Sequence, residues 1–185
     1  MSNDHPPRET ASVLVVGGAR SGKSRFAERL VADSGRERVY LATATPGDGE
    51  MADRIARHRA RRDDNWLTVE EPLELVSALA REAVAGRAVL VDCVTLWLSN
   101  LSMNERDVER EVAALVDLIP RLDAAVVFVS NELGSGIVPA NALARSFRDM
   151  QGRLNQALAE ACERVVLVVA GQPLLLKPQR EEIRL

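Results

Sequence analysis

The sequence predicts an α/β fold in which helices flank a mostly parallel central sheet. Short apolar runs rich in β-branched residues recur along the chain. These runs are continuous rather than alternating, which is typical of parallel strands that are covered on both faces. Helical patterns separate them, so we expect βαβ units with right-handed crossovers. The five runs cover residues 13–16, 39–42, 88–91, 125–129 and 165–169.

The helix prediction is clearest over residues 141–161. Five apolar side chains there follow the three–four spacing of an amphipathic helix, namely Leu143, Phe147, Met150, Leu154 and Leu158. Further helices are predicted around residues 24–33, 50–62, 73–85 and 105–119. We found no internal repeat or linker, so one domain is expected over residues 12–185. Residues 1–11 are polar, contain two prolines and are predicted to form a flexible tail.

Composition excludes several classes of function. The formal net charge is −3 and aromatic residues are only 3% of the chain, which disfavours a general nucleic-acid or anionic-membrane binder. No apolar run approaches the ~18 residues of a membrane span, and the N-terminus lacks a signal-peptide core. We therefore expect a cytoplasmic protein. Cys93 and Cys162 lack metal-ligand spacing and are expected to be buried, reduced thiols.

The first apolar run ends in a phosphate-binding loop. Residues 17–24 read GGARSGKS and match the GxxxxGK[ST] pattern, between a predicted strand and a predicted helix. Backbone amides of such a loop converge on phosphate oxygens, and the following helix directs its positive dipole end at the same anion. Lys23 is expected to reach the β- and γ-phosphates, and the Ser24 hydroxyl to bind Mg²⁺. The loop residues are Gly17, Gly18, Ala19, Arg20, Ser21, Gly22, Lys23 and Ser24.

A second apolar strand ends at Asp92, where a carboxylate is expected near Mg²⁺ or near the proton of the nucleophile. The alternative is an ordinary aspartate that caps the next helix. The chain lacks the NKxD element of guanine-specific switches. A small-molecule kinase or a nucleotidyl transferase therefore fits better than a Ras-like switch.

His58 lies within an arginine-rich helical pattern. On a helical projection it falls near Met51 and Ile55 on the inward stripe, with Arg54 and Arg61 beside it. It is either a partly buried structural histidine or a nucleophile. Adjacent positive charge favours the neutral imidazole that attack on phosphorus requires, and arginines would hold the phosphates.

Six segments occur in an order that resembles one enzyme family. They are GGARSGKSR (17–25), YLATA (40–44), EMxxRIxxH (50–58), VDCVTLWLSNL (91–101), NELGSGIVP (131–139) and RSFRDMQGRLNQ (145–156). The series resembles the bifunctional adenosylcobinamide kinase / adenosylcobinamide-phosphate guanylyltransferases of cobalamin biosynthesis, from residue 13 to about residue 177. The resemblance implies a RecA-like P-loop NTPase fold and a catalytic domain over residues 12–185.

The resemblance also implies two activities on a corrinoid substrate. Adenosylcobinamide would be phosphorylated on its aminopropanol hydroxyl at the expense of ATP or GTP, with Mg²⁺. GTP would then guanylylate His58, and the GMP would pass to adenosylcobinamide phosphate. Similar proteins form homotrimers. A kinase of another small metabolite with a structural His58, and a non-catalytic nucleotide sensor, remain the alternatives.

The resemblance assigns nucleotide contacts beyond the phosphate loop, and Lys23, His58 and Asp92 as catalytic residues. These further contacts are Thr43, Ala44, Thr45, Arg59, Ala60, Arg61, Arg62, Glu70 and Asp92. Some relatives have Glu in place of Asp92, and either carboxylate could serve Mg²⁺.

Overall fold

The computed structural model describes residues 11–45, 56, 59 and 62–178. Seven strands form one sheet in the order β3-β2-β4-β5-β1-β6-β7. Six of them are parallel to their neighbours, and β7 runs antiparallel to β6. The strands are β1 (Ser12–Gly17), β2 (Glu37–Ala42), β3 (Trp66–Glu70), β4 (Arg87–Asp92), β5 (Ala125–Asn131), β6 (Arg164–Val169) and β7 (Gln172–Lys177). The predicted α/β fold with a mostly parallel sheet is confirmed.

Helices pack on both faces of the sheet. They are α1 (Lys23–Ala32), α2 (Leu75–Glu82), α3 (Val94–Met103), α4 (Val108–Leu118) and α5 (Ala142–Ala161), with a 3₁₀ turn at Ile119–Arg121. Strand residues alternate between the faces: Val13 and Val15 join the core beneath α1, whereas Leu14 and Val16 join the core beneath α2 to α5. This two-sided burial explains why the strand sequences are continuous apolar runs.

The five predicted strands are present, and β3 and β7 are additional. All but the last residue of β7 is exposed, and the strand contains Pro173, so it lacks the buried run that predicted the others. Both are edge strands. Proline is tolerated in such a position because an edge strand leaves one side of its backbone unpaired.

The helix predictions at 24–33, 73–85, 105–119 and 141–161 are confirmed within a few residues. Leu143 does not join the core as its spacing suggested, because it lies in the first turn of α5 and is 73% exposed. The predicted helix at 50–62 and the predicted tail lie almost entirely outside the described residues. No helix among the residues that the structure describes is long and apolar enough to cross a membrane.

Register places several strand ends at one edge of the sheet. Gly17 pairs with Asn131, and Ala42 pairs with both Asp92 and Glu70. The carboxyl ends of β1, β2, β3, β4 and β5 therefore meet at the same edge. In an open parallel sheet this is where ligands bind.

Candidate nucleotide-binding and catalytic site

The phosphate loop leaves the carboxyl end of β1 and enters α1 through Gly22. Arg20 has φ 56° and Gly22 has φ 94°, so both adopt the left-handed conformation that aims successive backbone amides to one side. Gly22 immediately precedes α1 and provides no side-chain cap to its first amides. Those amides can therefore donate to an anion at the helix N-terminus.

The turn between β6 and β7 supports this loop from behind. The Gly171 amide donates to the Ser21 carbonyl oxygen at 2.8 Å. A Cβ at Gly22 would lie 3.1 Å from Gly171 Cα, and a Cβ at Gly17 would lie 2.6 Å from both the Val168 carbonyl and Ser21 Oγ. Both glycines are needed for close approach, and the loop has little freedom to shift.

Lys23 and Ser21 are two of the loop's polar side chains, and both lie within it. Lys23 is 5% exposed, and its Nζ donates to the Gly18 carbonyl at 3.1 Å, so its ammonium lies folded over the loop. Ser21 Oγ is buried without a hydrogen-bond partner among the described residues. A buried hydroxyl without a partner is costly, so its position inside the loop fits a site that receives an oxygen-rich anion.

Asp92 brings the end of β4 to the start of α1. Ser24 Oγ donates to Asp92 Oδ1 at 3.4 Å, and Tyr40 Oη donates to Asp92 Oδ2 at 2.8 Å. Helix α3 begins after Cys93, without a side-chain cap. The Asp92 carboxylate thus faces the phosphate loop rather than capping α3, which was the alternative reading of the sequence.

The donor set at this point suits Mg²⁺. A hydroxyl and a carboxylate are hard oxygen ligands, and Mg²⁺ is usually held by one or two such groups together with substrate phosphates and water. No group of three or more histidine, cysteine, aspartate or glutamate side chains that could hold a metal ion occurs within the described part of the chain. Ser24 and Asp92 therefore fit a metal whose coordination the nucleotide completes.

Tyr40 lies directly beneath Asp92 and was not recognised from the sequence as part of the site. Its ring meets Trp66 edge-to-face at 6.1 Å, and the Arg62 guanidinium lies 3.4 Å from its centroid. Burial and the adjacent Asp92 carboxylate raise the pKa of Tyr40 well above its ordinary value. Its hydroxyl therefore stays protonated and acts as a donor to Asp92.

The 131–139 loop follows β5, next to the phosphate loop. The Glu132 amide donates to the Gly17 carbonyl at 3.0 Å. The Glu132 carboxylate accepts from the Gly134 amide and from the Ser135 amide and hydroxyl, at 2.8 to 3.0 Å. Burial acts to raise the pKa of Glu132, but these bonds and the charge of Arg148 outweigh it, and the pKa is lowered.

A buried amide network anchors the same loop to α5. Gln151 is fully buried, and its Nε2 donates to Ser130 Oγ and Asn155 Oδ1, both at 2.9 Å. Asn155 Nδ2 donates to the Asn131 carbonyl at 3.0 Å, and Thr95 Oγ1 accepts from the Asn131 amide at 2.9 Å. Both backbone groups of Asn131 are thereby held. From the sequence, Thr95, Asn131, Gln151 and Asn155 appeared only as part of the resemblance, without a structural role, and Ser130 was not singled out.

Comparison with known proteins decides the family. Residues 13–176 match the model of the family described as cobinamide kinase / cobinamide phosphate guanyltransferase. The chain belongs to this family. Its members named here are bifunctional enzymes. A bifunctional adenosylcobalamin biosynthesis protein CobP from Pseudomonas aeruginosa is 54% identical over 168 residues, which cover 89% of this chain and 96% of the relative. A protein named CobU from Escherichia coli is 42% identical over 174 residues, covering 86% of this chain and 96% of the relative.

Solved structures extend the likeness in fold to more distant proteins. A protein studied from Pyrococcus horikoshii superposes with a TM-score of 0.54 at 12% identity, covering 89% of this chain and 85% of that one. The RadB recombinase gives a TM-score of 0.51 at 14% identity, with coverage of 85% and 73%. At such identity the likeness concerns the fold alone, and it confirms the predicted P-loop NTPase architecture of the RecA-like kind.

Among the contacts predicted from the family resemblance, Thr43 lies beneath the site. Thr43 is fully buried, and its hydroxyl donates to the Cys93 carbonyl at 2.7 Å and accepts from the Cys93 amide at 2.9 Å. Asn100 Nδ2 donates to the Thr43 carbonyl at 2.8 Å. Thr43 thus ties β2 to β4 in this structure. Ala44 and Thr45 follow it with increasing exposure.

The basic contacts are only partly described. Arg59 Nη2 lies 3.6 Å from Glu70 Oε1, and both side chains are about two-thirds exposed, so two predicted contact residues are brought together. Arg62 lies on Tyr40, near Asp92. His58, Ala60 and Arg61 lie outside the described residues, and their predicted roles stay predictions.

Both cysteines are buried and free. Burial raises the pKa of Cys93 to about 11 and that of Cys162 to about 12. Neither thiol is therefore ionised near neutral pH. The buried, reduced thiols that the sequence predicted are confirmed.

Proposed function

We propose that this enzyme phosphorylates the aminopropanol hydroxyl of adenosylcobinamide with ATP or GTP and then transfers GMP from GTP to adenosylcobinamide phosphate. The products are adenosylcobinamide-GDP and pyrophosphate. The observation that supports this most is the phosphate loop with Lys23 folded over it and Asp92 beside Ser24, in a chain of the cobinamide kinase / guanyltransferase family.

The kinase step is phosphoryl transfer from a held triphosphate to a hydroxyl. The loop amides and Lys23 bind the β- and γ-phosphates, and the substrate oxygen attacks the γ-phosphorus as its bond to the β-phosphate bridging oxygen breaks. Ser24 and Asp92 hold Mg²⁺, which neutralises charge on the phosphate oxygens when it is bound. Asp92 orients this site or accepts the hydroxyl proton.

The transfer step uses His58 as the nucleophile. The neutral imidazole attacks the α-phosphorus of GTP, pyrophosphate leaves, and a phosphoramidate bond holds GMP on the enzyme. A phosphate oxygen of adenosylcobinamide phosphate then displaces the imidazole. Arg59, Arg61 and Arg62 offset the charge on the phosphates during both displacements. Thr43, Ala44, Thr45 and Glu70 complete the proposed nucleotide contacts.

The enzyme is proposed to act as a homotrimer in the cytoplasm, without nucleic-acid partners. The described surface offers apolar side chains for subunit contacts. On β7, Leu174, Leu175 and Leu176 are 59%, 51% and 39% exposed, and Ile137 on the 131–139 loop is 97% exposed. Contiguous exposed apolar residues favour protein contacts. Light scattering would measure the oligomeric state.

The deciding experiment is incubation with α-³²P-GTP. We expect an acid-labile radiolabelled adduct that is lost in His58→Ala, and release of the label on addition of adenosylcobinamide phosphate. An adduct of undiminished yield in His58→Ala would contradict the covalent role. Phosphorylation of adenosylcobinamide from γ-³²P-GTP, without any adduct from α-³²P-GTP, would instead support the alternative of a simple kinase with a structural His58.

A further inference from the structure

Tyr40 is the chain's one tyrosine, and it is almost completely buried next to the proposed metal site. It lies on β2, and its hydroxyl reaches the end of the neighbouring strand β4 to donate to Asp92 Oδ2 at 2.8 Å. This distance is ordinary for an O–H···O bond, and the acceptor is a carboxylate, so the bond belongs to the stronger class. One of the two Asp92 oxygens is thus engaged from below.

The other Asp92 oxygen faces the phosphate loop. Ser24 Oγ lies 3.4 Å from Asp92 Oδ1, which is longer than the 2.8 Å of the tyrosine bond. The serine bond is consequently weaker than the tyrosine bond, and Ser24 Oγ and Asp92 Oδ1 lie side by side at the phosphate loop. The tyrosine bond, in contrast, limits rotation of the carboxylate about its Cβ–Cγ bond.

The Tyr40 ring is itself held on two sides. Trp66 packs against it edge-to-face, and the Arg62 guanidinium covers it at 3.4 Å from the centroid. Arg62 Nη1 is buried and makes no hydrogen bond within the described residues, so the ring is an important partner of this cation. Arg62 follows directly on the segment that carries His58. The Tyr40 side chain therefore contacts both Arg62, through its ring, and Asp92, through its hydroxyl.

We infer that Tyr40 is a positioning residue that fixes Asp92 Oδ2 and thereby presents Oδ1, together with Ser24, to the Mg²⁺ of the bound nucleotide. Arg62 assists by restraining the ring. This inference rests on the proposed function, since it assumes that Ser24 and Asp92 hold the metal. Tyr40 touches neither the phosphate loop's anion site nor the metal directly, so its effect should appear in metal dependence rather than in nucleotide affinity as such.

Tyr40→Phe tests this inference because it removes the hydroxyl and keeps the ring. The measurement is the affinity by calorimetry, once with Mg²⁺ and once with EDTA, for a GTP analogue whose α–β bridge cannot be cleaved, so that His58 cannot be guanylylated. The ratio of the two affinities is the metal-dependent gain. We expect the gain to fall about tenfold in Tyr40→Phe, the size of one hydrogen bond to a charged acceptor, with the EDTA affinity unchanged. Mn²⁺ binding to the same complex, followed by electron paramagnetic resonance, should weaken in parallel.

Two further variants sharpen the result. Trp66→Phe disturbs the same ring packing without touching the hydroxyl and should keep the gain within twofold. Arg62→Gln leaves the hydroxyl in place but removes the cation from the ring, and it should lower the gain about two- to fivefold. Because Arg62 is also a proposed nucleotide contact, Arg62→Gln should lower the affinity with EDTA as well, and only the ratio of the two affinities tests the inference. If Tyr40→Phe folds poorly, an unchanged ratio in Arg62→Gln would contradict the inference.

Asp92→Asn separates the inference from the proposed function. Loss of the gain in Asp92→Asn with an intact gain in Tyr40→Phe would overturn the role of Tyr40 and leave the metal assignment standing. An intact gain in Asp92→Asn would overturn the metal assignment itself. Equal weakening of binding with Mg²⁺ and with EDTA in Tyr40→Phe would show a purely structural role and would also overturn the inference.

Discussion

Two loops leave neighbouring strands at the same edge of the sheet and are built by different means. The phosphate loop follows β1, and its shape comes from backbone: left-handed residues, close-packed glycines and the Gly171 amide. The 131–139 loop follows β5, and its start is held by side chains, namely the Glu132 carboxylate and the buried Gln151 network. Gly17 and Asn131 are paired in the sheet, so the two loops begin at equivalent positions. The difference between the loops lies in the groups that hold them.

The contrast teaches where mutations should act. A backbone-built loop tolerates few substitutions at its glycines but depends on few side chains for its shape. The side-chain-built loop depends less on close backbone packing, since a Cβ at Gly134 would meet only the end of the Glu132 side chain, and we expect it to lose order when one buried amide is removed. Mutations in the first loop are therefore expected mainly to impair nucleotide binding and turnover. Mutations in the network that holds the second loop are expected mainly to lower the free energy of unfolding.

The strongest test removes the one ammonium that covers the phosphate loop. Lys23→Ala should lower turnover in both proposed steps by about 10²–10³-fold, because a preorganised donor to the phosphates is lost. Arg29→Ala, an exposed change on the same helix, should keep turnover near that of the parent. Steady-state assays with ATP and GTP would measure both. Full turnover in Lys23→Ala would exclude phosphate binding by this loop as described.

Alanine substitutions at two glycines should show whether the phosphate loop depends on its backbone conformation. Gly22→Ala should weaken nucleotide binding and lower the free energy of unfolding by about 1–2 kcal/mol, because alanine is strained at this positive φ and its Cβ approaches Gly171. Gly152→Ala, a helical site with open space around the added Cβ, should instead stabilise by about 0.5–1 kcal/mol. Calorimetric binding and urea unfolding would check these outcomes. Equal effects at both sites would remove the case for a backbone-built loop.

The side-chain network should respond in stability. Gln151→Ala should lower the free energy of unfolding by about 2 kcal/mol, because it leaves a cavity and removes the hydrogen bonds that Ser130 Oγ and Asn155 Oδ1 accept from Gln151 Nε2. Gln156→Ala, exposed on the same helix, should change it by less than about 0.5 kcal/mol. Denaturant titration would measure both. A neutral Gln151→Ala would mean that the network does not hold the loop.

The smallest expected effect is a dependence on pH through Glu132. Its pKa is lowered in the folded protein, so its carboxylate stabilises the fold above the unfolded pKa, near 4.5, and this contribution is lost as pH falls through the folded value. The group is only partly buried, so the contribution should stay below about 1 kcal/mol. Glu132→Gln should flatten the acid limb of the stability curve slightly. An unchanged acid limb of the stability curve would mean that Glu132 does not help to hold the 131–139 loop, and that the Gln151 network holds it alone.

The phosphate loop and its strand could be predicted from sequence because both are local patterns. Residues 17–24 match a motif of fixed spacing. Strands β1 and β4 are buried on both faces, so their apolar runs are unbroken. Helix α3 was not predicted, although its buried residues Val94, Trp97, Leu98 and Leu101 follow the three–four spacing of a helix. Its polar residues are all uncharged, so its amphipathic pattern is weaker than that of α4 or α5.

The contacts that complete the site were not predictable because they depend on register and on edge strands. Tyr40 reaches Asp92 only because β2 pairs with β4 in register, which places Ala42 opposite Asp92. Gly171 supports Ser21 only because β7 turns back beside β6, and the exposed side chains of β7 gave no strand pattern. His58 was singled out by its arginine neighbours and the family resemblance, and its role awaits the labelling experiment.

The strand order has a consequence for how the chain is made. Strand β1 is synthesised early but pairs with β5 and β6, which are synthesised late. The Gly171 amide that supports the phosphate loop arrives later still. A nascent chain on the ribosome therefore carries the complete phosphate-binding sequence long before it can close the loop, and the N-terminal strand must wait for more than a hundred residues, on the order of ten seconds of synthesis. Nucleotide can therefore act as a folding ligand only after residues 125–171 have been synthesised.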